Sequence, residues 1–346
     1  MKQNKLFNPI LNTDIKLING NSNGIANLTK NKYSWSTKLL DGMNGNFWIP
    51  KEISLGSDSN EYKNLTKAEQ EAFDKIISFL VFLDSMVTNA LPSLSNYITA
   101  PEVQVLLTTH AFQEAIHSQS YAYILESVVS AQKRNKIYDL ACTDEHMKKR
   151  NEYIAGFHQG FIDEPNEKNF LKVVVAQYLL EGIYFQSGFA FFFNLAKNNK
   201  LTGVGQEIAY ISRDESTHMA IFSNIFKELQ KENPELFTPE SIEEIYEMAR
   251  TSTKHEIEWF TYVCGDNIEG LTVGNIDAYI KYLSNQRLKT LGLKILFPEI
   301  KTNPFPFIAQ MSTPNSVKVD FFENKPINYN KAGEKLALDD LDNVDL

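Results

Sequence analysis

Two of the six histidines follow a glutamate by three residues, in the runs Glu114-Ala-Ile-His117 and Glu215-Ser-Thr-His218. Residues three apart on a helix project from one face, so each pair can grip a metal ion between carboxylate and imidazole. A further acid stands in the middle of each preceding apolar run, Asp84 within FLVFLDSM (79–86) and Glu181 within VVVAQYLLEGIYF (173–185). A lone carboxylate buried among aromatic and aliphatic side chains loses several kcal/mol of solvation, so it must be paired, protonated or bound to a cation. The order acid, Glu-x-x-His, acid, Glu-x-x-His is that of four helices converging on a dinuclear centre. Four carboxylates against two divalent cations leave a neutral interior that can be buried. Oxygen-rich donors with one imidazole per ion favour iron or manganese over zinc or copper. The candidate ligands are therefore Asp84, Glu114, His117, Glu181, Glu215 and His218. His110, His146, His158 and His255 have no glutamate at that spacing and read as ordinary hydrogen-bonded core histidines.

The elements that must present these groups are helical throughout. Thr66 with Glu69 three residues on is a capping-box pattern, followed by Phe73, Ile76, Ile77 and Leu80 at helical spacing, and this helix is expected to end near Pro92. A second is expected from Pro101 to about residue 131, a shorter one near 143–158, then helices over 167–197, 204–231, 239–264 and 274–292. No convincing set of alternating strands breaks the series. Residues 1–45 are polar, Asn-rich and punctuated by turn signals (NGNSNG, 19–24), and read as a loosely structured N-terminal arm. Residues 46–300 form the helical domain, and 301–346 a flexible tail ending in LDDLDNVDL. That tail is either a solubilising terminus or a peptide that orders on a partner with Leu341, Val344 and Leu346 as anchors.

Composition narrows the classes further. Lys plus Arg number 34 against 43 Asp plus Glu, a formal charge of −9, which argues against a nucleic-acid groove or a polybasic membrane patch. A hydrophobic content of 43% is enough for a large core. Two cysteines, Cys142 and Cys264, are too few for a disulfide framework and suit a reducing, cytoplasmic setting. The N-terminus carries polar residues where a signal peptide needs an apolar core, and the apolar stretch from Phe170 to Ala196 is interrupted by Lys172, Gln177, Glu181, Gln186 and Asn194, so it reads as a buried helix rather than a membrane span.

A dinuclear bundle can store iron, oxygenate a substrate or make a radical. Tyr121 lies four residues after His117 and seven after Glu114, one turn along the ligand face. Phe185, Phe189 and Ile211 fall where they would wall the site from water. A phenol so shielded is suited to losing an electron and a proton; a merely packed tyrosine fits the same slot. Asp214 is next to Glu215 but about 100° round the helix, so it cannot share that metal-facing surface easily. From its position alone a surface salt bridge is the preferred reading of Asp214, with a role behind the ligands as the alternative.

The runs NFWIPKE (46–52), EAIHSQSY (114–121), SRDESTH (212–218) and DFFENKPINYNK (320–331) occur in an order and context that resemble the class I ribonucleotide reductase small subunit. The likeness extends from about residue 35 to the C-terminus. It implies an all-α, ferritin-like bundle that forms a homodimer, with the six residues above as metal ligands and Tyr121 as the stable tyrosyl radical site. It further implies that Asp214 links His117 to Trp48, and that the hole travels through Trp48, Asp214 and Tyr329 to a large catalytic subunit, which reduces ribonucleotides to deoxyribonucleotides. The tail would dock on that subunit. Two irons and dioxygen are the first expectation; a dimanganese or mixed manganese–iron pair is the alternative, with a flavoprotein activator in the manganese case. The chain shows neither a glycine-rich phosphate loop nor a redox cysteine pair, consistent with nucleotide chemistry elsewhere. Against this stand two rivals of the same fold, a self-contained di-iron oxidase and an iron-storage ferroxidase.

Overall fold

The Thr66 hydroxyl accepts from the Glu69 N–H at 3.2 Å while the Glu69 carboxylate accepts from the Thr66 N–H at 2.9 Å, so the expected capping box opens the longest core helix. The computed structural model describes residues 6–311 apart from residue 12. Its helices are α1 (Ser34–Gly45), α2 (Asp58–Asn64), α3 (Lys67–Tyr97), α4 (Pro101–Val128), α5 (Ala131–Thr143), α6 (Glu145–Asp163), α7 (Glu167–Leu179), α8 (Gln186–Lys197), α9 (Thr202–Glu232), α10 (Pro239–Val263), α11 (Val273–Thr290) and α12 (Pro306–Met311). A π-helical turn, Leu180–Tyr184, joins α7 to α8. Strand-like pairing among the described residues is confined to two isolated bridges, Asp14 with Asn21 and Ile268 with Leu271.

Helix α3 packs along α4, α7 and α8 pack along α9, and α4 meets α9 across the middle. These are the four rods of the bundle. Their inner faces carry Phe73, Leu80, Leu83, Val174, Phe189, Ile208, Ile211 and Phe222, all fully buried. Helices α10 and α11 pack on each other and close the side of the π turn. By length and composition α3 could cross a membrane, with a mean hydropathy of 1.5 in its most apolar window. Its apolar side is instead the bundle core and holds Asp84 at the centre, so it is read as a core helix.

Five elements differ from expectation. Helix α3 runs through Pro92 to Tyr97. A proline inside a helix costs about 3 kcal/mol, and the burial of Leu91 and Leu94 on either side offsets it. The segment after α4 forms a separate helix, α5, capped by the Ser130 hydroxyl. Asp144 then ends α5 and caps α6 by accepting from the His146 and Met147 N–H groups, which extends α6 to Asp163. The expected helix over 167–197 is interrupted by the π turn at Glu181. Within the N-terminal arm, α1 is regular because Ser36, Leu40 and Met43 share one buried face. Tyr329, Leu341, Val344 and Leu346 lie outside the described residues.

Candidate metal centre

Each rod of the bundle delivers its acid to the same point. Asp84 comes from the middle of α3, Glu114 and His117 from α4, Glu181 from the π turn, and Glu215 and His218 from α9; all six are buried to within 1%. Their ligand atoms fall into two groups, each with members within 4.8 Å of one another: Asp84, Glu114, His117 and Glu215, and His110, Glu114, Glu181 and His218. Glu114 belongs to both. Its Oε2 is 3.7 Å from His117 Nδ1 while its Oε1 is 3.1 Å from His218 Nδ1. Glu215 spans the same gap, Oε1 at 3.1 Å from His117 Nδ1 and Oε2 at 3.0 Å from His218 Nδ1. Two carboxylates therefore bridge two pockets, and each pocket has one terminal acid, Asp84 or Glu181.

The cluster is chemically incomplete as protein alone. Asp84 Oδ1 and Oδ2, Glu114 Oε2, His117 Nδ1, Glu181 Oε2 and Glu215 Oε1 are buried without a hydrogen-bond partner. Buried polar groups are nearly always satisfied, so a concentration of orphaned donor atoms calls for ions. Burial, followed by the charges of Glu114 and Glu215, pushes the Asp84 carboxyl far up. Burial also pushes on Glu114, yet the nearby imidazoles of His110, His117 and His218 outweigh it and hold that carboxyl low. Burial opposes protonation of His218, but the neighbouring Glu215 and Glu114 carboxylates raise it to about 10. These opposed shifts describe acids and bases competing for protons where two divalent cations would satisfy them all. The donor set, oxygen-rich with imidazole nitrogen, fits a pair of first-row transition ions.

Behind the ligands, each imidazole is oriented by a second group. His117 Nε2 lies 3.5 Å from Asp214 Oδ2, which also accepts from the Trp48 indole N–H at 2.7 Å. The Arg213 guanidinium donates to the other Asp214 oxygen at 3.1 and 3.2 Å and to the Asn46 carbonyl at 2.6 Å. On the far side, His218 Nε2 donates to Gln113 Oε1 at 2.9 Å. Gln177 Nε2 donates to Glu181 Oε1 at 2.7 Å. Tyr121 is wholly buried, its hydroxyl has no hydrogen-bond partner, and after burial itself the Asp84 charge does most to raise its pKa far above the ordinary phenol range. Phe185, Phe189 and Ile211 are buried in the same core.

All six ligand candidates thus converge, with Trp48 joined to His117 through Asp214. His110 requires a correction: it is a member of the cluster and not an ordinary core histidine, its Nε2 lying 2.9 Å from Glu114 Oε1 and 3.2 Å from Glu181 Oε1. A search for glutamate before histidine passes over it because here the histidine comes first, yet positions 110, 114 and 117 fall on one helix face. Of the other three, His255 meets the Tyr184 hydroxyl as expected of a hydrogen-bonded histidine, whereas His146 is exposed and stacks on Tyr262, and His158 is buried without a hydrogen-bond partner, so neither is the hydrogen-bonded core residue expected. Gln113 and Arg213 had no spacing signal, since glutamines and arginines are common on helices and their partners His218 and Asn46 lie on other elements; Gln177 stands four residues before Glu181, a spacing that could have marked it.

Comparison with known proteins gives four concordant results. The family of the ribonucleotide reductase small chain matches residues 25–304. The ribonucleoside-diphosphate reductase subunit beta of Treponema pallidum (strain Nichols) is 42% identical over 346 residues, covering 99% of this chain and 98% of that protein. The structure of the ribonucleotide reductase R2 subunit from Clostridium botulinum superposes with a TM-score of 0.88 at 47% identity, over 90% of this chain and 99% of the other. Dimanganese(II)-NrdF from Streptococcus sanguinis shares the fold, with a TM-score of 0.74 at 22% identity over 84% and 99% of the two chains.

Proposed function

Since this chain belongs to the ribonucleotide reductase small-chain family, and is thereby a small (beta) subunit that works with a large catalytic subunit, we propose that its bundle holds two metal ions which generate a tyrosyl radical at Tyr121. Membership of the family sets aside the self-contained oxidase and the iron-storage bundle. The observation that carries the metal reading is the bridging pair Glu114 and Glu215, each with one oxygen toward each histidine and with unpartnered atoms between.

In this reading Asp84, Glu114, His117 and Glu215 hold one ion, and Glu181 and His218 complete the second with the same two bridges. When bound, the ion pair supplies electrons to dioxygen and the oxidising equivalent that takes one electron from Tyr121. Iron is the first candidate; manganese suits the same donors and is the metal named for the Streptococcus sanguinis protein. A manganese pair would call for a flavoprotein activator.

The residues of the chain do the rest. Burial keeps Tyr121 a neutral phenol, so loss of its electron must be accompanied by loss of its proton, and Asp84 is the acid whose charge it feels most. Enclosure by apolar side chains keeps water and reductants from the phenoxyl. Through the single oxygen Oδ2, Asp214 meets both His117 and Trp48, which makes a continuous route for coupled electron and proton movement from the cluster to an indole 3% exposed. Tyr329 is proposed to continue that route, and residues 301–346 to dock on the large subunit. A homodimer in the cytoplasm is the assembly and setting that fit, with Cys142 and Cys264 both free.

The test is electron paramagnetic resonance of the full chain after anaerobic loading with ferrous iron and exposure to oxygen. A tyrosyl signal that disappears in Tyr121→Phe is expected. A tyrosyl signal of undiminished intensity in that variant would refute the assignment.

A further inference from the structure

His110 is fully buried, stacked on His218 with ring centroids 3.7 Å apart and set edge-on to Phe222 at 5.8 Å. Its ring has little freedom, and its Nε2 points between two carboxylates, Glu114 Oε1 at 2.9 Å and Glu181 Oε1 at 3.2 Å. Two roles suit an imidazole there: a third nitrogen ligand, or a hydrogen-bond donor that aims the carboxylates. The opposite edge of the ring decides between them. Metal-binding histidines donate their other N–H to an acceptor, which leaves the metal-facing nitrogen as a lone pair. His117 has Asp214 for this purpose and His218 has Gln113. His110 Nδ1 has no partner. An N–H at Nδ1 would be a buried, stranded donor, whereas Nε2 faces two carboxylate oxygens that accept, so Nε2 is the donor nitrogen.

Glu181 is the ligand that most needs such help. It sits in the π turn, where the regular helical ladder is interrupted, and the turn is held from outside: Gln186 Nε2 donates to the Glu181 carbonyl and Arg287 Nε to the Gly182 carbonyl, both at 3.1 Å. Gly182 leaves room for this, since a Cβ there would meet Arg287 Nε at 2.9 Å. At the side chain, Oε1 is 2.7 Å from Gln177 Nε2 and 3.2 Å from His110 Nε2, while Oε2 has no partner. One oxygen is thus occupied by donors and the other is left for an ion.

We propose that His110 is a positioning residue which, through its Nε2–H, holds Glu181 so that only Oε2 faces the ion on the His218 side, and thereby sets the affinity of that ion relative to its neighbour. The proposal rests on the two-ion reading above and would be tested apart from it. The full chain is titrated with manganous ion, free ion being read by electron paramagnetic resonance. Two bound ions in the unsubstituted chain uphold the two-ion reading by itself. His110→Phe, which keeps a ring but no donor, is expected to weaken one ion about 10–100-fold and leave the other unchanged. His110→Gln, whose amide can donate, is expected to recover most of that loss. Pulsed resonance of the manganese-loaded, ¹⁵N-histidine-labelled unsubstituted chain is expected to show two directly bound imidazoles. His110→Phe with both affinities unaltered would overturn the proposal, as would a third directly bound imidazole, a result that does not depend on any variant folding.

Discussion

Two groups of buried charge lie within this helical body, and their difference separates structure from chemistry. At Glu256 on α10, one carboxylate accepts from the Arg150 guanidinium of α6 and, at 2.9 Å, from the Ser187 N–H. The guanidinium carbon sits 3.9 Å from the ring centre of Phe79 and 4.7 Å from that of Trp259, so its remaining N–H face is covered by aromatic rings. One cation meets one anion. At Glu114, four carboxylates meet three imidazoles, with six ligand atoms of the expected set left unpartnered. The first group balances its charge as polypeptide, although Arg150 Nε and Nη1 find no hydrogen-bond partner; the second balances only with cations added. Burial is equally deep in both, so the balance of charge, and not depth, marks the site.

The sharpest way to break this contrast is to remove a bridge. Glu114→Ala deletes a ligand shared by both ions and is expected to take the bound metal from two ions per chain to one or none, read by elemental analysis after desalting. Arg150→Leu is expected to do the reverse. It strands the Glu256 carboxylate and should cost about 3–5 kcal/mol in denaturant unfolding, with the metal content of the remaining folded protein unchanged. Replacing both partners, Arg150→Met with Glu256→Leu, should restore most of that stability, because burial weakens both charges: it is the largest influence raising the Glu256 carboxyl and lowering the Arg150 guanidinium. No comparable apolar replacement exists for the metal cluster if function is to be kept.

Asp214→Asn tests the layer between the two extremes. It preserves shape but removes the charge that links His117 to Trp48, and turnover with the large subunit is expected to fall about 10–100-fold while both ions stay bound. The smallest effect concerns Glu207, a buried acid bonded to the Ser120 hydroxyl and lying on neither charged group. Burial raises its pKa from the ordinary glutamate range near 4.5 to about 8. Between those values the folded chain keeps a proton that the unfolded chain releases, so stability falls as pH rises through the window. Glu207→Gln should flatten that slope and be more stable than the parent at pH 8 by about 1–3 kcal/mol, measured as the difference between unfolding curves at pH 5 and pH 8.

The same contrast explains what could be read from the chain alone. Glu114 with His117 and Glu215 with His218 are legible because one helical turn relates each pair, and Asp84 and Glu181 because an acid inside an apolar run demands a partner. The helices themselves follow from caps such as Thr66 with Glu69. The π turn at Leu180–Tyr184 was not legible: residues 173–185 are buried on every side, so their hydrophobic pattern has no period that an extra residue could disturb. Helix α3 passing through Pro92 depended on tertiary packing, which no local rule contains. His110 escaped because its role comes from Glu181, 71 positions away, and Arg213 because its partner at Asn46 is a backbone carbonyl on another element.

The central claim is that Glu114 and Glu215 bridge two ions between His117 and His218. Anomalous diffraction from crystals of the loaded protein, collected at the absorption edge of the loaded metal, tests it most directly. The expected result is two peaks about 3.5–4 Å apart, both between those carboxylates, one beside Asp84 and one beside Glu181. A single peak, or two peaks lying elsewhere in the bundle, would contradict it.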